Sequence, residues 1–252
     1  MRSSWKDSWT GTGGSMRYTL GIDTAAPDGS VALAADGRAV AVEPLLPREH
    51  SSGLSLAVDR LLASRSLSLH DVTGVAVSEG PGSFTGLRIG LAWAKGFALG
   101  RGIPIALVSA HAAAAHADRG GAGWIATVHP SERGFVEIAL WNGRGESAVW
   151  GPEKVEIEDA VARAVEAARS RSPEGDLSRN VVEIELRPAT AALLSSIAED
   201  AADVEVPVRP PGPLGAAVAE IGDRLLASGA HADLVLAAPA YGREPNARKP
   251  GS

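Results

Sequence analysis

The sequence predicts a two-lobed α/β protein in which each lobe is a mixed sheet with flanking helices. Three observations carry this. The first half opens with three strand-like runs and then alternates helix and strand, and the second half opens with two such runs and does likewise, so one order occurs twice. The strand candidates are short Val, Ile, Leu and Ala runs between Gly, Pro, Asp and Ser, whereas the helix candidates repeat apolar residues three and four apart. With 252 residues, 45% of them hydrophobic, the chain carries enough apolar material for two lobes and too much for a disordered polymer.

The elements follow in order. Residues 1–15, MRSSWKDSWTGTGGS, lack the apolar core of a secretory signal and read as a disordered leader ahead of Met16. Tyr18 to Ile22 and Ser30 to Ala34 form a hairpin across the Pro27-Asp28-Gly29 turn, and Arg38 to Glu43 is a third extended run. Leu54, Val58, Leu61 and Leu62 mark a helix spanning about His50 to Ser64, with Ser51 or Ser52 as its cap. Val72 to Val77 is a buried strand, a helix follows from Leu87 to Leu99, and Ile105 to Val108 closes an N-terminal lobe over 16–108.

The C-terminal lobe, 109–242, begins with an Ala-rich helix from Ala110. Strands at Trp124 to Val128 and Gly134 to Trp141 come next, then a helix through Ile157, Val161, Ala164, Val165 and Ala168. A charged loop covers Arg169 to Ser178. Strands at Val181 to Leu186 and Val204 to Val208 flank a helix carrying Leu193, Leu194 and Ile197. Leu214, Val218, Ile221 and Leu225 mark a last helix, free to pack back on the first lobe, and residues 243–252 read as a frayed tail.

Composition narrows the function. Lys and Arg number 24 against 30 Asp and Glu, so the net charge is −6, poorly suited to gripping a phosphate backbone alone. Zero cysteines exclude disulfides, thiolate zinc sites and cysteine nucleophiles, which fits a cytoplasmic protein. No stretch approaches the roughly 18 uncharged apolar residues of a membrane span.

The most informative segment is Gly80-Pro81-Gly82-Ser83-Phe84-Thr85-Gly86, continuing through Leu87-Arg88-Ile89-Gly90. A Gly/Pro turn after a strand and a Ser cap before a helix bring backbone N–H groups and a positive helix end together, the physical recipe for an anion site, and Arg88 adds a charge. On spacing alone a tight structural turn is the simpler reading, since the string is neither a GxxxxGK[ST] nor a GxGxxG.

As a whole string, however, GPGSFTGLRIG resembles the signature of the bacterial TsaB family, also called YeaZ, of tRNA threonylcarbamoyladenosine biosynthesis proteins. Gly21-Ile22-Asp23-Thr24, Ser30 to Leu33, His50-Ser51, Leu91 to Ala98 and Pro104 to Ser109 add to the resemblance, which covers Met16 to about Ser109. It implies two actin/Hsp70-like lobes of the ASKHA type. Two departures stand out. Ala25-Ala26-Pro27 occurs where the family tends to place a serine, and His129-Pro130-Ser131-Glu132-Arg133-Gly134 replaces a second-lobe turn that usually reads Asp-Ala-Arg.

The resemblance also sorts the candidate residues. Asp23 and Thr24 stand where actin-fold ATPases hold metal-water and phosphate, here as a possible vestigial nucleotide site or an Asx-type turn. A second-lobe turn offering His129 and Pro130 suits Mg²⁺ poorly, because that ion prefers carboxylate and phosphate oxygens. His111 and His116 are five apart, about 140° around a helix, so they do not converge on one metal, and no metal site is expected. Ser83 lacks a GxSxG elbow and placed His/Asp partners, which disfavours a hydrolase.

The two first-lobe helices make the better functional surface. Leu87, Leu91, Ala94 and Ala98 can face the core, leaving Ile89, Trp93 and Phe97 on a second stripe. Together with His50, Leu54, Val58 and Leu61 these form the expected partner interface. By resemblance the chain is a non-catalytic scaffold. It pairs with a catalytic TsaD-like subunit and works with a TsaE-like ATPase to form N6-threonylcarbamoyladenosine at position 37 of ANN-decoding tRNAs. It meets tRNA through the complex and forms a homodimer when the partner is absent. No cofactor is expected to bind the isolated chain tightly, with ATP or ADP entering at the level of the complex. The alternative is an actin-fold ATPase or phosphotransferase with its own nucleotide site; a metallopeptidase is the weakest reading.

Overall fold

The computed structural model describes residues 16–26, 28–45, 53–117, 124–142, 147–171, 180–184, 208–209 and 212–240. Residues 1–15, His50, Ser51, Ser52, most of the Arg169 to Ser178 loop, the helix expected around Leu193 to Ile197 and the tail from residue 243 lie outside them.

The first lobe is a five-stranded sheet: β1 (Tyr18–Asp23), β2 (Ser30–Ala35), β3 (Arg38–Pro44), β4 (Gly74–Gly80) and β5 (Ile105–Ser109), in the order β3-β2-β1-β4-β5. β1 runs antiparallel to β2 and parallel to β4, with Asp23 opposite Ser30 and Ile22 opposite Val77. Helices α1 (Leu54–Ala63) and α2 (Phe84–Arg101) cover one face. There Leu20, Ile22, Val75 and Val77 from the sheet meet Leu54, Val58 and Leu61 from α1 and Leu91 from α2. Each such aliphatic side chain contributes about 1.5–3 kcal/mol by leaving water.

The second lobe repeats this plan. β6 (Trp124–Pro130), β7 (Phe135–Asn142), β8 (Ala148–Glu156), β9 (Asn180–Ile184) and β10 (Val208–Arg209) lie in the order β10-β9-β6-β7-β8. Read from β8, the strands rank third, second, first, fourth and fifth within their lobe, as in the first sheet. The sequence shows only two opening strands here. β8 is missed because Gly151-Pro152 and the charged Glu153, Lys154 and Glu156 disguise an exposed edge strand. A 3₁₀ turn over Ile157–Asp159 leads into α4 (Ala160–Arg169), whose Ala160, Val161, Ala164 and Ala168 pack on Val136, Ile138 and Val155.

Between the sheets lie α3 (Ala110–Ala117) and α5 (Gly215–Ala227). α5 rests on β1, β2 and β4 of the first lobe, so the last described helix returns to the first sheet. Small residues set that approach: a Cβ on Gly21 would sit 2.6 Å from the Cβ of Ala219. Two carboxylates fix α5 further. Asp223 accepts hydrogen bonds from Thr19 Oγ1 and the Gly37 N–H, each at 2.7 Å, and Glu220 accepts the Ala39 N–H at 2.9 Å.

Two helix starts differ from the sequence reading. α1 is preceded by Gly53, without a side-chain cap. α2 begins at Phe84, three residues before Leu87, because Ser83 caps it: its Oγ accepts the Gly86 N–H at 3.2 Å. No helix among the described residues is long and apolar enough to cross a membrane.

Candidate functional site

The signature string joins β4 to α2 and packs directly on the end of β1. Gly80-Pro81 is a cis peptide and Gly80 takes φ +114°, a conformation open to glycine and costly for other residues. The Ser83 N–H donates to the Ala25 carbonyl at 2.9 Å, and the Leu87 N–H donates to the Ser83 carbonyl at 2.8 Å. Thr24 Oγ1 donates to the Gly86 carbonyl at 2.7 Å. Three glycines permit this closeness. A Cβ on Gly82 would lie 2.7 Å from the Ala25 Cβ; on Gly86 it would overlap the Thr24 carbonyl oxygen, and on Gly90 the Thr24 hydroxyl.

Three backbone donors of the turn are thus engaged within the fold. The N–H groups of Ser83, Gly86 and Leu87 all have protein acceptors. Pro81 is buried, Ser83 and Thr85 are exposed, and Arg88 lies 4.0 Å over the Phe84 ring. Asp23 is fully buried, and its Oδ1 accepts the Ala25 N–H at 3.1 Å in the Asx-type turn that the sequence suggests.

On the second-lobe side, His129 is fully buried on β6, its ring 4.3 Å from that of His111. Burial holds it well below the ordinary imidazole value, at about 4, although Glu137 and a backbone hydrogen bond with Ala110 pull upward. A histidine held neutral supplies no cation for a phosphate, and Thr24 has its hydroxyl committed. Glu79, at the end of β4, is raised above the usual carboxylate range by partial burial.

α1 and α2 divide the remaining candidates. Leu54, Val58 and Leu61 are enclosed in the core of their own lobe, which corrects their assignment to a partner interface: positions 54, 58 and 61 form the single stripe with which α1 faces its sheet. On α2, Leu87, Leu91, Ala94 and Ala98 are buried as expected, while Ile89, Trp93 and Phe97 are half-buried against the same core. Trp93 Nε1 donates to Ser55 Oγ at 3.0 Å, and the Trp93 and Phe97 rings stack with centroids 5.1 Å apart.

Sequence reading also missed two exposed apolar side chains on these helices and the open space beside the aromatic pair. Leu56 is 54% exposed on α1 and Leu99 75% exposed on α2, and beside the aromatic pair Gly96 and Gly100 leave open space where side chains would be. The signal was present: Ala92, Gly96 and Gly100 recur at every fourth position outside the core stripe. The result is a shallow apolar surface along α2 that another helix can approach closely.

A duplicated 3-2-1-4-5 sheet order, with the first β-turn wedged against a glycine-rich helix start, defines a two-lobed actin/Hsp70-like protein. A family model described as TsaD: tRNA N6-adenosine threonylcarbamoyltransferase matches residues 44–128. The tRNA threonylcarbamoyladenosine biosynthesis protein TsaB of Escherichia coli (strain K12) is 37% identical over 146 residues, covering 54% of this chain and 63% of that protein. The TsaB of Bacillus subtilis (strain 168) is 34% identical over 134 residues, covering 52% and 58%. YeaZ from Pseudomonas aeruginosa shares the fold, with a TM-score of 0.66 at 22% identity over 90% of this chain and 100% of that one. The chain is thus similar to TsaB (YeaZ) proteins, in sequence over about half its length and in fold over 90% of it. Its matches span less than two thirds of the length of these two curated relatives.

Proposed function

We propose that this chain is the non-catalytic scaffold subunit of a complex that forms N6-threonylcarbamoyladenosine at position 37 of ANN-decoding tRNAs, pairing with a TsaD-like catalytic subunit. One observation carries the reading. Residues 44–128, which hold α1, the signature turn and α2, match the family model of the threonylcarbamoyltransferase itself, while the chain is 37% identical to a TsaB over 146 residues. Two chains that share this unit can pair through the same face in a pseudo-symmetric, self-complementary way. The open α2 surface beside Trp93 and Phe97 is suited to that contact.

Support for a non-catalytic role comes from the signature turn, whose glycines and whose Ser83, Gly86 and Leu87 N–H groups are spent on internal packing. Asp23 and Thr24 serve the same packing, and His129 offers no charge, so the actin-fold nucleotide site is vestigial here and the isolated chain holds no nucleotide tightly. The catalytic partner, a TsaE-like ATPase and the tRNA then supply the chemistry, with ATP or ADP bound at the level of the complex. In the partner's absence the same face closes a homodimer.

The test is co-purification with the TsaD-like protein of the same genome. Association that is lost in Trp93→Ala while the variant stays folded supports the reading. Failure to associate, or robust ATP hydrolysis by the pure chain that Asp23→Ala abolishes, overturns it.

A further inference from the structure

α3 differs from every other described helix in composition: between Ala110 and Ala117 it contains only alanine and two histidines, and six of its eight residues are buried. It is also the described helix that touches both sheets, packing on β6 of the second lobe and on β4, β5 and α5 of the first. Ala112 and Ala115 pack with Ile125, Ala139 and Trp141 of the second sheet. Ala113 and Ala114 pack with Ala76, Ala106 and α5 on the other side. Alanine contacts are smooth and carry little positional preference, so apolar packing alone would let the lobes slide or turn about this rod.

The two histidines carry its side-chain hydrogen-bonding contacts, and they point to different lobes, while the Ala110 backbone adds a hydrogen bond to His129 of β6. His111 Nδ1 lies 2.8 Å from Thr127 Oγ1, and its Nε2 lies 3.8 Å from Glu137 Oε1 on β7. His116 Nε2 lies 2.8 Å from Glu220 Oε2, and its Nδ1 lies 3.2 Å from Arg224, both on α5. A guanidinium can only donate, so Nδ1 of His116 accepts and Nε2 carries the proton given to Glu220. The Thr127 hydroxyl can donate to the Ala139 carbonyl at 3.4 Å or to His111 Nδ1 at 2.8 Å; with the nearer Nδ1 as acceptor, His111 takes the same tautomer and directs Nε2–H at Glu137. Each imidazole therefore presents one N–H to a carboxylate, one carboxylate from each lobe.

Glu220 is tied onward, since its Oε1 accepts the Ala39 N–H of the first sheet. Thr127 is tied as well, accepting the Trp141 indole N–H at 2.9 Å. Polar contacts thus run from β3 through α5 to the His116 end of α3, and from its His111 end to β6 and β7.

We propose that α3 is a two-ended clamp that fixes the angle between the lobes, with His116–Glu220 locking it to the first lobe and His111–Glu137 and Thr127 locking it to the second. The locks act in series. Releasing either one frees the lobes to turn, and releasing both adds little.

The chain contains no cysteine, so labels can be placed cleanly. Ala63→Cys on α1 and Ala162→Cys on α4 put spin labels at exposed helical positions, one per lobe. Pulsed dipolar spectroscopy then reads the inter-label distance in the full chain. His111→Ala and His116→Ala suit the test because alanine is the best helix former and matches the rest of α3. Each single variant is expected to shift and broaden the distance distribution while far-UV circular dichroism stays that of the parent, and the double variant is expected to match the broader single one. Distributions unchanged in both single variants overturn the clamp, as does a double variant whose broadening is the sum of the two. Should a His→Ala chain fail to fold, Glu220→Gln and Glu137→Gln replace it. In Glu220→Gln the side-chain carbonyl can still accept the Ala39 N–H while the new amide opposes the His116 N–H, and an unchanged distribution there overturns the proposal equally.

Discussion

Thr24 and Gly86 are locked against each other: the Thr24 hydroxyl donates to the Gly86 carbonyl at 2.7 Å, and the Thr24 carbonyl oxygen occupies the space a Cβ on Gly86 would need. The turn after β1 and the first turn of α2 therefore form one unit. Overpacking typically costs 1–3 kcal/mol, and a rigid backbone oxygen as the obstacle places Gly86→Ala toward the top, at about 3 kcal/mol. For a chain of this size that is a fall of about 6–12 °C in melting temperature. The measurement is a thermal melt of the isolated chain with no ligand added. A wild-type melting temperature would show that the turn yields easily and is not architectural.

The opposite result is expected three turns along the same helix. No atom lies within 4 Å of a Cβ on Gly96, so a side chain there meets nothing in the isolated chain. Gly96→Ala should raise stability by about 0.5–1 kcal/mol through helix propensity. Gly96→Arg should leave the melting temperature at least as high, yet block a helix from approaching the Trp93–Phe97 surface. If that surface is the central partner contact, affinity for the TsaD-like subunit falls at least about thirtyfold, corresponding to about 2 kcal/mol. Calorimetric titration of the two purified proteins reads this directly. Wild-type affinity for Gly96→Arg would move the interface elsewhere, whatever Trp93→Ala does.

Trp93 shows why the sequence could suggest that face and not resolve it. Apolar spacing separates Ile89, Trp93 and Phe97 from the core stripe of α2, and the structure keeps them separate. Spacing does not reveal that Ser55 and the edge of the core take part of their surface. For α1 the same arithmetic was over-read: Leu54, Val58 and Leu61 constitute one stripe, which cannot serve the core and a partner together. The duplicated lobe order was legible because hydrophobic runs and breakers repeat. β8 was not, since an edge strand needs little apolar content and tolerates Pro152. That His111 and His116 leave α3 in different directions was legible, since five residues turn a helix by about 140°. That each would meet a carboxylate of a different lobe depended on tertiary placement, which no local pattern encodes.

Burial of His129 gives folding a pH dependence with a definite sign. Its folded-state value of about 4 lies below the ordinary 6.5, so its contribution is complete above about pH 6.5 and is lost as pH falls from there toward 4. Glu137, which faces it together with His111, is also shifted down: the His111 imidazole beside it holds its carboxyl below 4.5, so its contribution is lost as pH falls below that value. Between pH 6.5 and 4.5 the His129 effect therefore stands apart from that of Glu137. Urea denaturation at about pH 7 and about pH 5 should differ by about 2 kcal/mol more in the wild type than in His129→Leu. Equal differences would mean that the imidazole is protonated inside the fold or reached by water.

Asp223 supplies the test of how α5 is held on the first lobe. It is 1% exposed and accepts the Thr19 hydroxyl and the Gly37 N–H, with Arg17 4.0 Å away. Asp223→Ala removes both acceptors and leaves two donors in a place largely closed to water. A buried donor left unsatisfied costs about 1–3 kcal/mol, in full for Thr19 and less for the half-buried Gly37 N–H, so a loss of about 2–5 kcal/mol is expected. Part of it belongs to Thr19 and should return when that hydroxyl is removed too. In an Asp223→Ala, Thr19→Val pair the second substitution should cost less than it does alone, by about 1 kcal/mol or more. The remaining loss belongs to Gly37, whose N–H no side-chain substitution can delete. Additive losses in the double variant would mean that Thr19 finds another acceptor once the carboxylate is gone, and that α5 is held by its alanine packing on Gly21 and Ala76 and not by its acidic residues.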